Sequence, residues 1–156
     1  MRHIGIDPGL SGAIAVLTDD TLKVFDMPTM TVDRNGKAKR QVSANELAEL
    51  LYTCSGKDCH VYVERVSAMA GQGVTSVFSF GRSFGMIEGI LAALKMPVTF
   101  VAPAAWVKGV GRGPGKDASR SRAMELFPEY QHMFKRVKDD GRADAALIAH
   151  WGRKHG

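Results

Sequence analysis

The chain has 156 residues, 45% of them hydrophobic, and a formal net charge of +5 at pH 7. This length predicts one domain, residues 1–156, with an ordinary core. No apolar run approaches the roughly 20 residues that a membrane-spanning helix needs, and no signal-peptide pattern is present, so we expect a cytoplasmic protein without a membrane partner. The positive charge favours a polyanionic partner. Cys54 and Cys59 lack further zinc ligands and are expected to be reduced thiols.

Alternating apolar residues predict three strands at the start of the chain. They cover residues 2–7, 12–18 and 22–26 and form an antiparallel meander. Residues 28–42 carry several Lys and Arg side chains around Asn35-Gly36, which predicts a polar loop or a loose hairpin. This segment is either simply solvated or in contact with phosphate.

The middle of the chain predicts two helices that alternate with two strands. A capping-box sequence begins a helix at residues 43–53, and a strand follows at 60–64. The longest helix is predicted at residues 74–94, before a strand at 98–101. Parallel crossovers through these helices would extend the first meander.

Three glycines lie on one row of the long predicted helix, Gly81, Gly85 and Gly89. Each costs about 1 kcal/mol of helix propensity relative to alanine, so we expect something to approach this face closely. The neighbour is either a second copy of the chain at a dimer interface or the protein's own sheet. The sequence leaves both open.

The C-terminal third predicts three helices. A short helix at residues 103–108 leads into the glycine-rich segment 109–115, for which we predict a mobile loop. Asp117 is expected to cap a helix that ends near residue 126, and the last helix covers residues 141–153. The whole order predicts an α/β fold with a five-stranded mixed sheet, antiparallel in its first three strands, extended by parallel strands and flanked by helices.

Carboxylates stand at the ends of elements that should meet. Asp7 ends the first strand and Glu64 ends the fourth, and these two strands are expected to be neighbours. Asp140 and Asp144 lie four residues apart on one face of the last helix. Asp139 is the alternative to Asp140, since either acid could simply cap the helix.

A cluster of these four acids would bind divalent metal. Close carboxylates repel one another unless cations neutralise them, and oxygen-only ligands favour Mg²⁺ or Mn²⁺. Two such ions about 3.5 to 4 Å apart can activate a water and stabilise the leaving oxygen of a phosphodiester. The acids therefore predict a two-metal hydrolase site that needs no nucleophilic side chain.

The same residues carry a family resemblance. Gly5-Ile6-Asp7-Pro8-Gly9, Val63-Glu64 and the stretch at 140–149 resemble, in the same order, the RuvC family of Holliday junction resolvases. Residues 71–82 and 103–108 are similar to the phage-borne branch of that family. The resemblance implies a ribonuclease H-like fold and a homodimer paired through the long helix. It also implies a bacterial or phage origin.

The activity that the resemblance implies is that of a Mg²⁺-dependent endodeoxyribonuclease. Such an enzyme resolves four-way DNA junctions by paired incisions, with other branched DNA as a wider substrate class. By this resemblance the catalytic and metal-binding acids are Asp7, Glu64, Asp140 and Asp144. Lys108 and Lys116 fall where the family keeps basic residues near the scissile phosphate, and we count them as catalytic.

Basic residues cluster where a DNA strand would pass. Residues 102–126 hold five cations and two carboxylates, and such a segment can follow a phosphate backbone. Residues that flank the fourth-strand acid are predicted to hold the strand being cut. The predicted DNA-binding set is Arg65, Gln72, Arg82, Arg112 and Arg120. Met69 is the apolar candidate for the wedge that the bacterial enzymes insert into a junction, and a packing role for it is equally open.

Three other functions are open at this point. A ribonuclease H-like nuclease of structured RNA would use the same chemistry. A junction-binding protein without cleavage is less favoured, because a binding module gains nothing by setting acids against phosphate. The segment at 7–12 is similar to the phosphate loop of actin-like ATPases, but those proteins need two such domains.

Overall fold

The computed structural model describes all 156 residues as seven strands and five α-helices. The strands are β1 (Arg2–Asp7), β2 (Ala13–Leu17), β3 (Leu22–Asp26), β4 (Thr29–Arg34), β5 (Lys37–Val42), β6 (Cys59–Glu64) and β7 (Val98–Val101). The helices are α1 (Ala44–Cys54), α2 (Val74–Ala93), α3 (Pro103–Gly109), α4 (Ala118–Leu126) and α5 (Asp140–His155). Short 3₁₀ helices at Pro128–Met133 and Val137–Asp139 join α4 to α5.

The central sheet has the strand order β3-β2-β1-β6-β7. β2 runs antiparallel to β1 and β3, whereas β1, β6 and β7 are parallel. The predicted five-stranded mixed sheet is therefore confirmed. Because β1 and β6 are parallel neighbours, their carboxyl ends lie at the same edge of the sheet.

β4 and β5 form a separate two-stranded hairpin. Asn35 and Gly36 at its turn both have positive φ, 54° and 72°, which is the backbone that a tight two-residue hairpin turn requires. Of the two structures predicted for residues 28–42, the hairpin is the one that forms. The chain consequently has two strands more than the predicted order contained.

Apolar layers cover both faces of the central sheet. α5 packs on one face through fully buried residues, the small Ala143, Ala145, Ala146 and Ala149 together with Leu147 and Ile148. α1 and α2 cover the other face through side chains such as Leu47, Leu51 and Ile87. None of the helices is long and apolar enough to cross a bilayer.

Two glycines let α5 approach the end of β1 closely. A Cβ on Gly5 would overlap the carbonyl oxygen of Ala145, and a Cβ on Gly141 would overlap the carbonyl oxygen of Ser11. The backbone of α5 therefore rests directly on β1 and on the turn that follows it. This contact brings the first turns of α5 beside Asp7.

The glycine row of α2 has no neighbour within the chain. Gly81, Gly85 and Gly89 are exposed, and a Cβ on any of them would meet no atom within 4 Å. Of the two alternatives left open by the sequence, packing of this face on the protein's own sheet is therefore excluded.

Asp117 does not have the role predicted for it, whereas the two cysteines do. Asp117 occupies the N-cap position of α4 but makes no side-chain cap, because its carboxylate pairs with Arg120 instead. Its predicted capping role is wrong. Cys54 and Cys59 are both free and buried, as expected for reduced thiols.

Candidate active site

Asp7 and Glu64 lie side by side at the carboxyl edge of the sheet. Ile6 pairs with Val63 in the parallel β1–β6 ladder, so the residues that follow them, Asp7 and Glu64, are adjacent. Burial raises the pKa of Asp7 to about 7, with the negative charges of Asp144 and Glu64 adding to the rise. The backbone N–H of Gly9 opposes this rise. Asp7 is thus an enclosed acid with two acidic neighbours.

Asp144, on α5, also lies close enough to Asp7 and Glu64 to raise the pKa of both. Burial is the main cause that raises the pKa of Asp144, and Asp140 one turn earlier adds to it. The pKa of Glu64 is raised too, first by burial and then by Asp144. The structure therefore brings Asp7, Glu64 and Asp144 into one electrostatically coupled cluster.

Asp139 and Asp140 have different environments. Asp139 is 1% exposed, and its two oxygens accept hydrogen bonds from the Arg136 backbone N–H at 2.8 Å and from the Arg136 guanidinium at 2.9 to 3.3 Å. Asp140 is half-buried on the same side of α5 as Asp144, with Oδ1 3.3 Å from Nε of Arg120. The geometry favours Asp140 over Asp139 as the fourth acid of the cluster.

The acid cluster has the chemistry of a cation site, although its side chains do not surround a common point. No group of three or more His, Cys, Asp or Glu side chains is arranged to hold a metal ion. Oδ1 of Asp144 is nevertheless buried without a hydrogen-bond partner, and Oδ1 of Asp140 has only the ion pair with Arg120. A buried carboxylate oxygen without a donor, beside other carboxylates, fits a hard divalent cation.

Trp106 holds Glu64 in place, a contact that the sequence did not predict. Trp106 is 1% exposed, and its indole Nε1–H donates to Oε2 of Glu64 at 2.6 Å. This bond stabilises the ionised carboxylate and opposes the rise in the pKa of Glu64. The only sequence signal was a tryptophan in the helix after β7, the strand next to β6.

Replacing Trp106 with phenylalanine should raise the pKa of Glu64 further and weaken Mg²⁺ binding about 10-fold to 100-fold, because Glu64, a candidate metal ligand, would lose its orienting donor. Carboxyl-carbon NMR titration of Glu64 and calorimetric titration with Mg²⁺ measure the two effects. Trp151→Phe is the matched control, since Trp151 stacks on His155 and makes no contact with the acids. An unchanged Glu64 pKa in Trp106→Phe would contradict the positioning role.

Comparison with known proteins shows which proteins this chain resembles in sequence and in fold. No family model matches the chain. Over 92 residues, 58% of this chain, it is 35% identical to Holliday junction resolvase MOC1, chloroplastic, of Chlamydomonas reinhardtii. That span is 10% of the relative's length. The structure of T. thermophilus RuvC in complex with a Holliday junction substrate matches 99% of this chain and 96% of that chain, with a TM-score of 0.64 at 13% identity.

The chain has the RuvC fold. A second structure of Thermus thermophilus RuvC matches the same shares of both chains, with a TM-score of 0.56 at 15% identity. The predicted ribonuclease H-like architecture is thereby confirmed. Within this RuvC fold, the acid cluster lies between the carboxyl edge of β1 and β6 and the start of α5.

Arg112 lies against the acid cluster of this RuvC fold. Its guanidinium carbon is 5.5 Å from the centroid of the Trp106 ring, and its Nη1 donates to Oγ of Ser119 at 3.0 Å. Its positive charge lowers the pKa of Glu64 and of Asp144 against the effect of burial. The structure places Arg112 and Ser119 beside the acids, and the DNA-binding role of Arg112 stays a prediction.

Arg120 does not have the predicted surface position. It is 8% exposed, and its Nη1 donates to the carbonyl oxygens of Phe134 and Lys135. Its remaining nitrogens face the carboxylates of Asp117 and Asp140. The prediction that Arg120 binds DNA is therefore wrong, because a buried guanidinium committed to these partners cannot reach a phosphate. Its role is to fasten α4 to the start of α5.

The other predicted basic and polar residues are exposed around the site. Lys108, Lys116 and Arg65 form no ion pair. Arg82 donates to Oε1 of Gln41 at 3.3 Å, and Gln72 accepts from the Met69 backbone N–H at 2.8 Å. Met69 is 72% exposed, so it does not pack into the core. Catalytic or DNA-binding roles for these residues stay predictions.

Proposed function

We propose that the protein is a divalent-metal-dependent endonuclease that cuts four-way DNA junctions. The observation that carries this proposal is the enclosed cluster of Asp7, Glu64 and Asp144 on a RuvC fold. Burial and mutual repulsion make such a cluster costly unless it serves a cation. The net charge of +5 suits a polyanionic substrate around it.

In this proposal the acids that hold Mg²⁺ or Mn²⁺ are Asp7, Glu64, Asp140 and Asp144. When bound, two such ions supply an activated water and neutralise charge on the leaving oxygen of a phosphodiester. Because burial raises the pKa of Asp7 to about 7, a metal ion bound there would displace the proton from the fraction of Asp7 that is protonated.

The neighbouring residues prepare the site for this chemistry. Trp106 fixes the orientation of Glu64 through the 2.6 Å hydrogen bond. Arg112 places positive charge at the same edge, where it can stabilise a phosphate in front of the acids. Lys108 and Lys116 are exposed and form no ion pair, so we propose that they bind the phosphates on either side of the cut.

The names of the similar proteins support a four-way junction as the substrate. The algal relative is named a Holliday junction resolvase, and the solved structure of T. thermophilus RuvC is a complex with a Holliday junction substrate. Junction DNA joins two duplexes, so paired incisions need two acid clusters. A homodimer would supply them.

Cleavage of a synthetic four-way DNA junction tests the function. With Mg²⁺ we expect paired nicks in opposing strands, and none with EDTA. Glu64→Gln should bind the junction without cutting it, whereas Asp20→Asn, in the exposed turn between β2 and β3, should cut like wild type. Faster cleavage of an RNA junction would favour a structured-RNA nuclease. Binding without cleavage by wild type would indicate that the chain is a junction-binding protein and not a nuclease.

The exposed face of α2 is proposed as the homodimer interface. Gly81, Gly85 and Gly89 leave an open row on this face, and Phe78 and Val74 extend it as apolar side chains 69% and 87% exposed. Open glycines in a long helix cost stability unless a neighbour approaches them. A second copy of the same helix has the complementary flat surface, as a two-fold interface requires.

Gly85→Ala should have opposite effects on the stability of the monomer and on the affinity of the dimer. The new methyl group meets nothing within 4 Å in the monomer. It should therefore stabilise the monomer by about 0.5 to 1 kcal/mol through helix propensity, and weaken the dimer by about 10-fold or more because it separates the helices. Thermal melting and sedimentation equilibrium measure these effects.

The control for the interface compares two aromatic residues of equal exposure. Phe78 on α2 and Tyr52 on α1 are both 69% exposed. Phe78→Ala should weaken dimerisation, and Tyr52→Ala should not. Equal effects of the two substitutions, or a wild-type chain that sediments as a monomer at all concentrations, would reject this interface.

A further inference from the structure

A groove separates the β4–β5 hairpin from the first turns of α2. Its volume is about 470 Å³, and fifteen residues line it. The hairpin forms one wall and α2 the other, while Pro8, Leu10 and Ser11 form the floor. These floor residues belong to the turn that leaves Asp7, so the groove begins beside the acid cluster.

The charge of this groove is entirely positive. Four of its lining residues are cations, Arg34, Lys39, Arg40 and Arg82, and none of the fifteen is a carboxylate. None of the four cations takes part in an ion pair anywhere in the structure. Positive charges gathered without a counter-ion provide a site for an anion.

Neutral acceptors hold the three arginines in place. Oε1 of Gln41 accepts from Arg34 at 3.1 Å and from Arg82 at 3.3 Å, so one amide oxygen joins a guanidinium of the hairpin to one of α2. Arg40 donates to the carbonyl oxygen of Leu10 and to Oγ1 of Thr29, both at 3.4 Å. The charges are thus positioned across the groove but not neutralised.

The opposite wall adds hydroxyl groups. Ser76, Ser79 and Ser83 line the groove from α2 at spacings of about one helical turn, and Thr75 lines it beside Ser76. Guanidinium, ammonium and hydroxyl donors are the groups that proteins present to phosphate oxygens, and they carry no information about base sequence. Both walls therefore match a phosphodiester backbone.

We infer that this groove binds the phosphate backbone of the DNA arm that continues from the strand held at the acid cluster. The inference rests on the proposed function, because it describes another part of the same substrate. The hairpin lies outside the central sheet and directs its cations into the groove. Binding here is independent of sequence and sensitive to salt.

The test measures binding separately from cleavage. A fluorescent four-way DNA junction is titrated with protein in EDTA at several salt concentrations, using wild type, Arg34→Gln/Lys39→Gln, and the control Lys57→Gln/Lys154→Gln. Both pairs of residues are exposed and both variants remove two charges. The groove variant should lower the slope of log affinity against log salt by about 2 and weaken binding about 10-fold or more.

Each result of this test decides the inference. Equal losses in the groove variant and the control variant would overturn it, whatever the cleavage activity of wild type. A larger loss in the groove variant supports it, even if wild type binds the junction without cutting it and the proposed nuclease function fails. Thermal melting of all three proteins should coincide, because the substituted side chains lie at the surface. Wild type that binds no DNA would overturn both proposals.

Discussion

Asp7→Asn is expected to abolish cleavage and at the same time to stabilise the metal-free protein. The loss of one ligand carboxylate should reduce the cleavage rate on the order of 1,000-fold, because the acids provide the cation site. Folding raises the pKa of Asp7 from 3.8 to about 7, chiefly through burial. Ionising this group in the folded state therefore costs free energy that asparagine does not incur.

The sign of the pH dependence follows from the raised pKa. Below pH 3.8 the acid is protonated in both states, and its contribution to folding is fully favourable. That contribution is lost as the pH rises toward 7 and beyond. In EDTA the wild-type free energy of unfolding should fall over this range, and Asp7→Asn should exceed it by about 2 to 4 kcal/mol at pH 8.

Thermal melts from pH 4 to pH 8, with and without Mg²⁺, measure this difference. Mg²⁺ should stabilise wild type more than Asp7→Asn, since the ion binds the folded state through the missing carboxylate. Asp20→Asn is the control, as its carboxylate is exposed. Parallel pH profiles for wild type and Asp7→Asn would show that ionising Asp7 does not destabilise the folded state.

Gly5→Ala is expected to destabilise the fold severely. The added Cβ would overlap the carbonyl oxygen of Ala145 and the backbone nitrogen of Ala149. These are backbone atoms of α5, so no side-chain rotation can relieve the overlap, and the whole helix must move away from β1. We expect a loss of about 3 kcal/mol or more in the free energy of unfolding.

Urea unfolding of Gly5→Ala measures this loss, and Gly113→Ala is the matched control. Gly113 has open space where a Cβ would stand, so the same substitution should change stability little there. Any Gly5→Ala protein that folds should also bind Mg²⁺ weakly, because Asp144 moves with α5. A variant as stable as Gly113→Ala would contradict the close packing of α5 on β1.

The sequence predicted those features that depend on local pattern and on chain direction. Alternation located the strands, and a parallel crossover was enough to place Asp7 beside Glu64. Helical spacing paired Asp140 with Asp144 and preferred Asp140 to Asp139. The structure gives the physical reason, since Arg136 occupies both oxygens of Asp139.

Features that depend on long-range packing could not be predicted in this way. Arg120 has the sequence context of a surface cation, and only the packing of α4 against residues 134 and 135 buries it. The bond from Trp106 to Glu64 joins residues 42 positions apart and requires the position of α3 beside β6. For the glycines of α2, spacing indicated a close approach but could not identify the neighbour.

The isolation of the β4–β5 hairpin has an evolutionary consequence. Its two strands pair only with each other, and the ladder that aligns Asp7 with Glu64 does not pass through them. Insertions, deletions or changes of charge in the hairpin would therefore leave the alignment of Asp7 with Glu64 intact. In the proposed enzyme, the residues that bind the DNA backbone could thus diverge independently of those that cut it.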